Sequence, residues 1–251
     1  MGRGAVVFGV LAFAGAAAVG FGLRLPLSVL APDAVAEAAA RGVTLDPQST
    51  LAQGSAAAGV GNSAKTAIDW RLAGVSLRPL GVRVPLRFQG LADGQSEAVI
   101  GAFGALVRDA VVTVDAVDLG LLPVLAPAGL VRLRLDQASI DRAGQLAPGL
   151  AAQLAWQGAQ VTLDKPIALG DISGAVVSAR ATRLRWDVTN QGGDVGIGGT
   201  IALDLAQGRR VDIDVLITPR AGGFDPAFAA LLAQWGVQEA GGYRIRRSVR
   251  G

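Results

Sequence analysis

Cysteine and histidine are both absent from this chain of 251 residues. Without cysteine there is no disulfide framework and no thiolate nucleophile, and without both residue types there is no ordinary zinc site. The chain also lacks the side chain that most often serves as a general base near neutral pH. Metal-dependent hydrolysis and Ser-His or Cys-His catalysis are therefore excluded for this chain acting alone.

Lysine is nearly absent, and the formal charge of +3 comes almost wholly from arginine. The arginines are spread along the chain, and aromatic residues make up only 5% of it. The one short basic run consists of Arg244, Arg246, Arg247 and Arg250. A nucleic-acid interface needs clustered basic residues with stacking aromatics between them. We therefore predict no nucleic-acid partner.

One long apolar run stands at the amino terminus. From Gly4 to Leu23 there is no charged residue, and Arg3 and Arg24 bracket the run. About twenty such residues in a helix span a hydrocarbon core of about 30 Å. We predict a cytoplasmic stub over 1–3 and a single transmembrane anchor over 4–24. The alternative is a cleaved signal peptide ending near Ala16–Ala18, but its apolar region is typically shorter.

The remainder divides at about residue 66. Prolines interrupt residues 25–66, and Gln53 to Ser63 is rich in Gly, Ala and Ser, so we expect a connecting region with a loop or edge segment there. Residues 67–251 are predicted to form a periplasmic β-rich domain. It is either one body or two sub-modules, at about 67–145 and 146–251.

Alternation of apolar and charged residues dominates this second part. It is clearest in Val131–Asp136, Leu184–Val188 and Val211–Val215. Successive strand side chains point to opposite faces, so the pattern indicates sheets with one dry and one wet face. Ile201–Leu205 and Val211–Val215 are predicted to form a hairpin. The fold class is therefore mainly β, an antiparallel, meander-like sheet.

A short helix is predicted near the end of the chain. Asp225 is suited to the capping position, Pro226 to the first turn, and Gly236 to the end of the helix. Between them, Phe228, Leu231, Leu232 and Trp235 have the spacing of one helix face. The sheet thus carries one or two short helices, and Tyr243–Arg246 is expected as a last, half-buried strand.

Several residues have the right type for chemistry but the wrong context. Asp212 and Asp214 fall on the same wet strand face, and Asp115 and Asp118 are merely close in sequence. The Gly192–Gly199 segment resembles a nucleotide loop, but a strand follows it instead of a helix. Trp70, Trp156, Trp186 and Trp235 occupy apolar positions of strands or a helix, which favours core packing. We predict no catalytic, cofactor-binding or metal-binding residue.

A series of short elements, taken in order, resembles the protein N family of the type II (general) secretion pathway. They are Gly54–Gly59, Ile68–Leu72, Leu119–Leu125, Leu154–Ala159, Leu169–Asp171, Asp194–Leu205, Leu231–Gly236 and Gly242–Ile245. Together with the amino-terminal anchor they carry the resemblance. It implies a periplasmic β-rich domain on a single inner-membrane span, and it implies no catalytic residues.

The function expected from the resemblance is assistance to the export of folded proteins across the outer membrane by non-covalent contacts. The partners would be other secretion subunits, on the inner-membrane platform or on the secretin side. The alternative is a lipid-handling protein of the periplasm, because a long curved sheet behind an anchor can cradle acyl chains. An enzyme comes third. A continuous apolar groove in the folded domain would favour the lipid-handling alternative.

Overall fold

A computed structural model describes residues 35–36, 39–40, 43–50, 52–58, 66–101, 104–119, 126–141, 150–180, 183–204, 210–220, 222–239 and 241–250. The described chain is mainly β, with antiparallel strands and two short helices, as the sequence predicts. None of its helices is long and apolar enough to cross a membrane. The anchor predicted over 4–24 lies outside the described residues.

The chain divides into two compact units, of which unit 1 comprises residues 1–114 and 134–150. Its strands are β1 (Val43–Leu45), β2 (Gln53–Ala58), β3 (Thr66–Arg71), β4 (Gly74–Leu77), β5 (Leu80–Gly90), β6 (Asp93–Gly101) and β7 (Gly104–Asp115). The last residue of β7, Asp115, belongs to unit 2. They are hydrogen-bonded in the order β1-β2-β3-β5-β6-β7, and β4 pairs with β5 outside that path. Unit 1 is therefore an antiparallel sheet with one extra hairpin.

Unit 2 comprises residues 115–133 and 151–251. Its elements are α1 (Ala116–Leu119), β8 (Ala126–Asp141), β9 (Ala151–Thr162), β10 (Pro166–Arg180), β11 (Arg183–Gln191), β12 (Val195–Asp204), β13 (Arg210–Pro219), α2 (Pro226–Trp235), β14 (Val237–Glu239) and β15 (Gly242–Arg250). Residues 126–133 of β8 belong to unit 2, and residues 134–141 belong to unit 1. The strand order in unit 2 is β8-β9-β10-β11-β12-β13-β15-β14, a meander whose last two positions are exchanged.

Strand β5 shows why unit 1 forms a sheet with one dry face. Val84, Leu86 and Phe88 are 4–5% exposed, whereas Arg83 and Arg87, which alternate with them, are exposed. Alternate side chains of a strand lie on opposite faces, so this sequence buries one face and solvates the other. The cross-strand neighbours Ala98 and Ile68 continue the buried face.

The predicted helix near the end of the chain is confirmed as α2. The Asp225 carboxylate accepts hydrogen bonds from the backbone N–H groups of Ala227 and Phe228, at 2.9 and 3.2 Å, and so satisfies two donors of the first turn. Phe228, Leu231 and Leu232 of α2 are buried against strands of unit 2. The core cluster also contains Ala159, Val161, Ile167, Leu169 and Val195. The helix thus covers one part of the unit 2 sheet.

The predicted hairpin is also confirmed, since Ile201 pairs with Ile213 and Leu203 with Val211 across β12 and β13. The stretch expected to connect anchor and domain, in contrast, contains strands β1 and β2. Strand β2 is paired on both sides, with β1 and with β3, so it is neither a loop nor an edge. Glycine at position 54 of β2 has a packing reason, because a Cβ there would collide with the Trp70 ring and would lie 2.6 Å from the Ser49 hydroxyl.

Candidate interaction surfaces

Ion pairs connect three strands on the wet face of unit 2. Asp214 of β13 accepts two hydrogen bonds from Arg244 of β15, from Nε at 2.7 Å and from Nη2 at 2.9 Å. Arg246 lies 3.7 Å from the same carboxylate and also 3.4 Å from Glu239 of β14. Two parallel bonds between one guanidinium and one carboxylate fix the geometry as well as the charge. Much of the basic run near the end of the chain is therefore neutralised by acids of neighbouring strands.

The neighbouring carboxylate, Asp212, has a similar environment. Arg210 donates to it at 2.7 Å, and Arg183 of β11 lies 3.7 Å away. The hydrogen bonds from Arg210 and Ser248 lower the pKa of the Asp212 carboxyl, and the bond from Arg244 lowers that of Asp214. Both carboxylates are thus held in the ionised form, which makes them poor proton donors near neutral pH. Asp214 is thus paired across strands, whereas the closest partner of Asp212 is Arg210 of its own strand.

The other acidic candidates are also placed apart from any cluster. Asp115 is the last, exposed residue of β7, and Asp118 lies in the four-residue helix α1. Among the described residues, no group of three or more acidic side chains is arranged to hold a metal ion.

The glycine-rich segment is a turn between β11 and β12, as its sequence context indicates. Gly192 and Gly193 have φ angles of 71° and 79°, in the region that favours glycine. Asn190 fastens the turn, because its amide donates to the carbonyls of Leu169 and Val195 at 2.5 and 2.8 Å. A strand, not a helix, follows. The segment therefore lacks the helix N-terminus that a nucleotide-binding loop uses for phosphate.

The four tryptophans pack less deeply than the sequence predicts, since all are half-buried. Trp156 and Trp235 lie against the core cluster of unit 2. The indole N–H groups of Trp70 and Trp156 donate to the carbonyls of Thr50 and Ala128, both at 3.0 Å. These hydrogen bonds connect strands to neighbouring segments at the margin of the core. Trp156 and Trp235 therefore contact the core, as predicted, but none of the four tryptophans is fully buried.

On the face of the unit 2 sheet that α2 partly covers, a second group of apolar side chains lies outside the core cluster. Cross-strand pairing places Val176, Trp186, Ile201 and Ile213 in one row across β10, β11, β12 and β13. All four are half-buried. The Trp186 indole nitrogen is out of contact with solvent and has no hydrogen-bond partner among the described residues. We call this row the apolar row.

Among the described residues, the two most exposed large apolar side chains, Leu77 and Leu80, lie in the hairpin of β4 and β5. Val75, Leu77 and Leu80 are 66%, 81% and 73% exposed. We call residues 74–83 the tip hairpin. Sequence reasoning missed it, although apolar residues on both sides of Arg78-Pro79, in a stretch without acidic residues, were a usable signal. Unit 2 offers a smaller surface at its edge, where the three-residue strand β14 exposes 66% of Val237.

In a comparison with protein families, the chain matches the family described as type II secretion system (T2SS), protein N. The match covers residues 41–246, which include every strand from β1 to β14 and most of β15. No curated protein and no solved structure matches the chain. The family resemblance seen in the sequence is thereby confirmed. This chain belongs to the protein N family of the type II secretion system.

Proposed function

We propose that this secretion component acts by non-covalent contact at the periplasmic face of the inner membrane, with residues 4–24 as its single anchor and the β-rich units in the periplasm. The observation that carries the proposal is the family match over 41–246, which includes both β-rich units. The charge-free run of Gly4 to Leu23 supports the anchor. Other subunits of the machine, on the inner-membrane platform or the secretin side, are the proposed partners.

A surface feature of unit 2 supports a contact role. Strand β14 lies at the edge of its sheet and exposes 66% of Val237, and an open strand edge can pair with a strand of a protein partner. Among the described residues, Asp214 of β13 and Glu239 of β14 form ion pairs with arginines of β15. These features fit recognition of a protein partner better than turnover of a substrate.

Complementation in a strain that lacks the chain tests the proposal. The full chain should restore the amount of a reporter exoprotein outside the cell. A form without Gly4 to Leu23, exported with a cleavable signal at equal periplasmic level, should restore it poorly. The reason is that a tether holds the domain near membrane partners at high effective concentration, in the mM range for short linkers.

A third form provides the control, with residues 4–23 replaced by an unrelated apolar span. Full activity of this form would show that the segment acts only as a tether, which the proposal expects. Equal activity of the released form would show that the segment serves only for delivery. A deletion strain with no secretion defect would overturn the transport role.

A second candidate, lipid handling in the periplasm, is favoured by the apolar row of unit 2. Its four side chains cross four strands and are half-buried, as a surface that lies against acyl chains would be. Ile201 and Thr200 are adjacent residues on opposite faces of β12, and they offer a matched test. Ile201→Gln should reduce the lipid that co-purifies with the chain, while Thr200→Gln, which adds no charge beside the Asp214 pair, should not. Absence of co-purifying lipid from the unaltered chain would rule out this candidate.

A further inference from the structure

We propose that the tip hairpin binds the surface of an anionic lipid bilayer. The starting observation is the exposure of Val75, Leu77 and Leu80, which are among the most exposed large apolar side chains of the described chain. Removing apolar surface from water is favourable, so exposed leucine side chains at a turn favour contact with an apolar partner. The inference concerns this hairpin alone, and it rests neither on the role in secretion nor on the anchor.

The pairing of β4 with β5 places the apolar side chains on one side of the hairpin. Val75 pairs with Val82, and Leu77 pairs with Leu80. Residues that are directly opposite in an antiparallel pair share a face, so these four form a compact apolar patch. Gly74, Ser76, Gly81 and Arg83 form the other face. The tip hairpin is therefore amphiphilic, like other segments that lie at a membrane interface.

The charge of the hairpin region has one sign. Between Asp69 and Asp93 the chain carries Arg71, Arg78, Arg83 and Arg87 but no acidic residue. Arg78 lies in the turn, between Leu77 and Pro79, and Arg83 is exposed beside it on β5. Among the described residues, neither has an acidic side chain within ion-pair distance. This differs from Arg244 and Arg246 of unit 2, whose charges are matched by Asp214 and Glu239.

Arginines beside exposed leucines match the two layers of a bilayer surface. The guanidinium groups can lie among anionic headgroups, where each basic residue contributes about 1 kcal/mol. The leucine side chains can then enter the acyl boundary.

A protein partner fits the tip less well. A stable protein interface covers about 800 Å² on each partner, much more than three apolar side chains at a turn can offer. A bilayer needs no such matched area, because it adapts its surface to the inserted group. The small size of the patch and its unmatched positive charge therefore both favour lipid.

The absence of cysteine gives a direct test in the full chain. Leu77→Cys creates a single thiol that can carry a polarity-sensitive fluorophore. The labelled full chain is reconstituted into vesicles of phosphatidylethanolamine and phosphatidylglycerol, and separately into vesicles of phosphatidylcholine alone. We expect a blue-shifted emission in the anionic vesicles. The shift should weaken when salt rises from 0.1 M to 1 M, because the Debye length falls from about 10 Å to about 3 Å.

Gln89→Cys is the matched control. Gln89 is exposed on the same strand as Leu80, nine residues further along, so it lies about 30 Å from the tip at 3.3 Å per residue. A fluorophore attached at this position should show the emission of a water-exposed label in both kinds of vesicle. Replacing Arg78 and Arg83 with Gln should lower the inserted fraction at Leu77, by about fivefold in the insertion equilibrium for each arginine. Leu80→Cys gives a second report if Leu77→Cys lowers the thermal stability of the chain.

Three results would overturn the proposal. The first is a Leu77 label that reports water in anionic vesicles. The second is an equal shift in phosphatidylcholine that neither salt nor the arginine replacements reduce, since it would exclude recognition of anionic lipid. The third is a shift that depends on the ratio of protein to lipid, because it would identify a second copy of the chain as the occupant.

Discussion

The two units bury different kinds of side chain. In unit 1 the buried residues include the hydroxyl side chains Ser49, Thr66 and Ser96, at 2–5% exposure. In unit 2 the buried residues among those described are all apolar, and α2 supplies three of them. Unit 2 instead places its polar pairing on the wet face, where Asp212 pairs with Arg210 of its own strand and Asp214 pairs with Arg244 of β15.

This difference indicates that the two sheets are held together in different ways. In unit 1, side chains bind the backbone of neighbouring strands. Ser49 both accepts from and donates to the backbone of Ser55, each at 2.9 Å, and Thr66 accepts from the N–H of Ala92 at 3.1 Å. In unit 2 a helix covers part of the apolar face, and the side chains that bind strand backbone, such as Asn190, are only partly buried. The free energy of unfolding should therefore respond to replacement of buried hydroxyl residues in unit 1 and to replacement of apolar residues under α2 in unit 2.

The largest effect is expected at the helix of unit 2. Leu232 is 2% exposed in the core cluster, so Leu232→Ala should lower the free energy of unfolding by about 2–5 kcal/mol. The exposed neighbour Gln234 gives the control, because Gln234→Ala should change it by less than about 0.5 kcal/mol. Thermal or denaturant unfolding measures both.

Hydrogen exchange would sharpen this comparison by locating the loss. If the units are stabilised separately, Leu232→Ala should reduce protection in β9, β10 and β12 more than in β3, β5 and β6. Equal loss of protection in both sets of strands would show that the two units unfold together.

A smaller effect is expected from the hydroxyl groups of unit 1, where two buried residues should respond in opposite directions. Thr66→Val removes the acceptor of the Ala92 N–H and leaves a buried donor unpaired, which should cost about 1–3 kcal/mol. Ser96 is equally buried, but its hydroxyl has no hydrogen-bond partner within the described part of the chain. Ser96→Ala should therefore leave stability unchanged or raise it. A comparable loss at both positions, measured by denaturant unfolding, would disprove the role assigned to the Thr66 bond.

The smallest effect on stability is expected on the wet face of unit 2. The hydrogen bond from Arg244 lowers the folded-state pKa of Asp214, so the contribution of the ion pair is present above the unfolded-state value of about 3.9 and is lost as pH falls through the lower folded-state value. Asp214→Asn should lower Tm slightly at neutral pH, and the difference from the unaltered chain should vanish in acid.

Arg244→Gln serves as the companion variant, since it removes the donor and leaves the acid in place. The two single variants and the double variant form a cycle that isolates the pair. A difference in Tm that persists unchanged in strong acid would attribute the effect of Asp214→Asn to something other than its charge.

The sequence by itself determined the class of several elements. Alternation of apolar and charged residues predicted strand structure within β8, β11 and β13, because the two faces of a half-buried strand have opposite solvent exposure. The cap at Asp225, Pro226 and the stop at Gly236 predicted α2, since helix ends need partners for their free backbone groups. The order of short elements identified the family. All of these signals are local along the chain.

Only the tertiary structure decided what covers each face. Val99 lies opposite in direction to Ala98 and Ile100 along β6, yet all three are buried, at 1–4% exposure. Leu77 has the same apolar character and is 81% exposed. Trp186 fits a core position by pattern but is only half-buried, and Asp214 fits a solvated position but is held by an arginine thirty residues away. Alternation assigns a side chain to a face, but what lies over that face depends on contacts between residues distant in sequence.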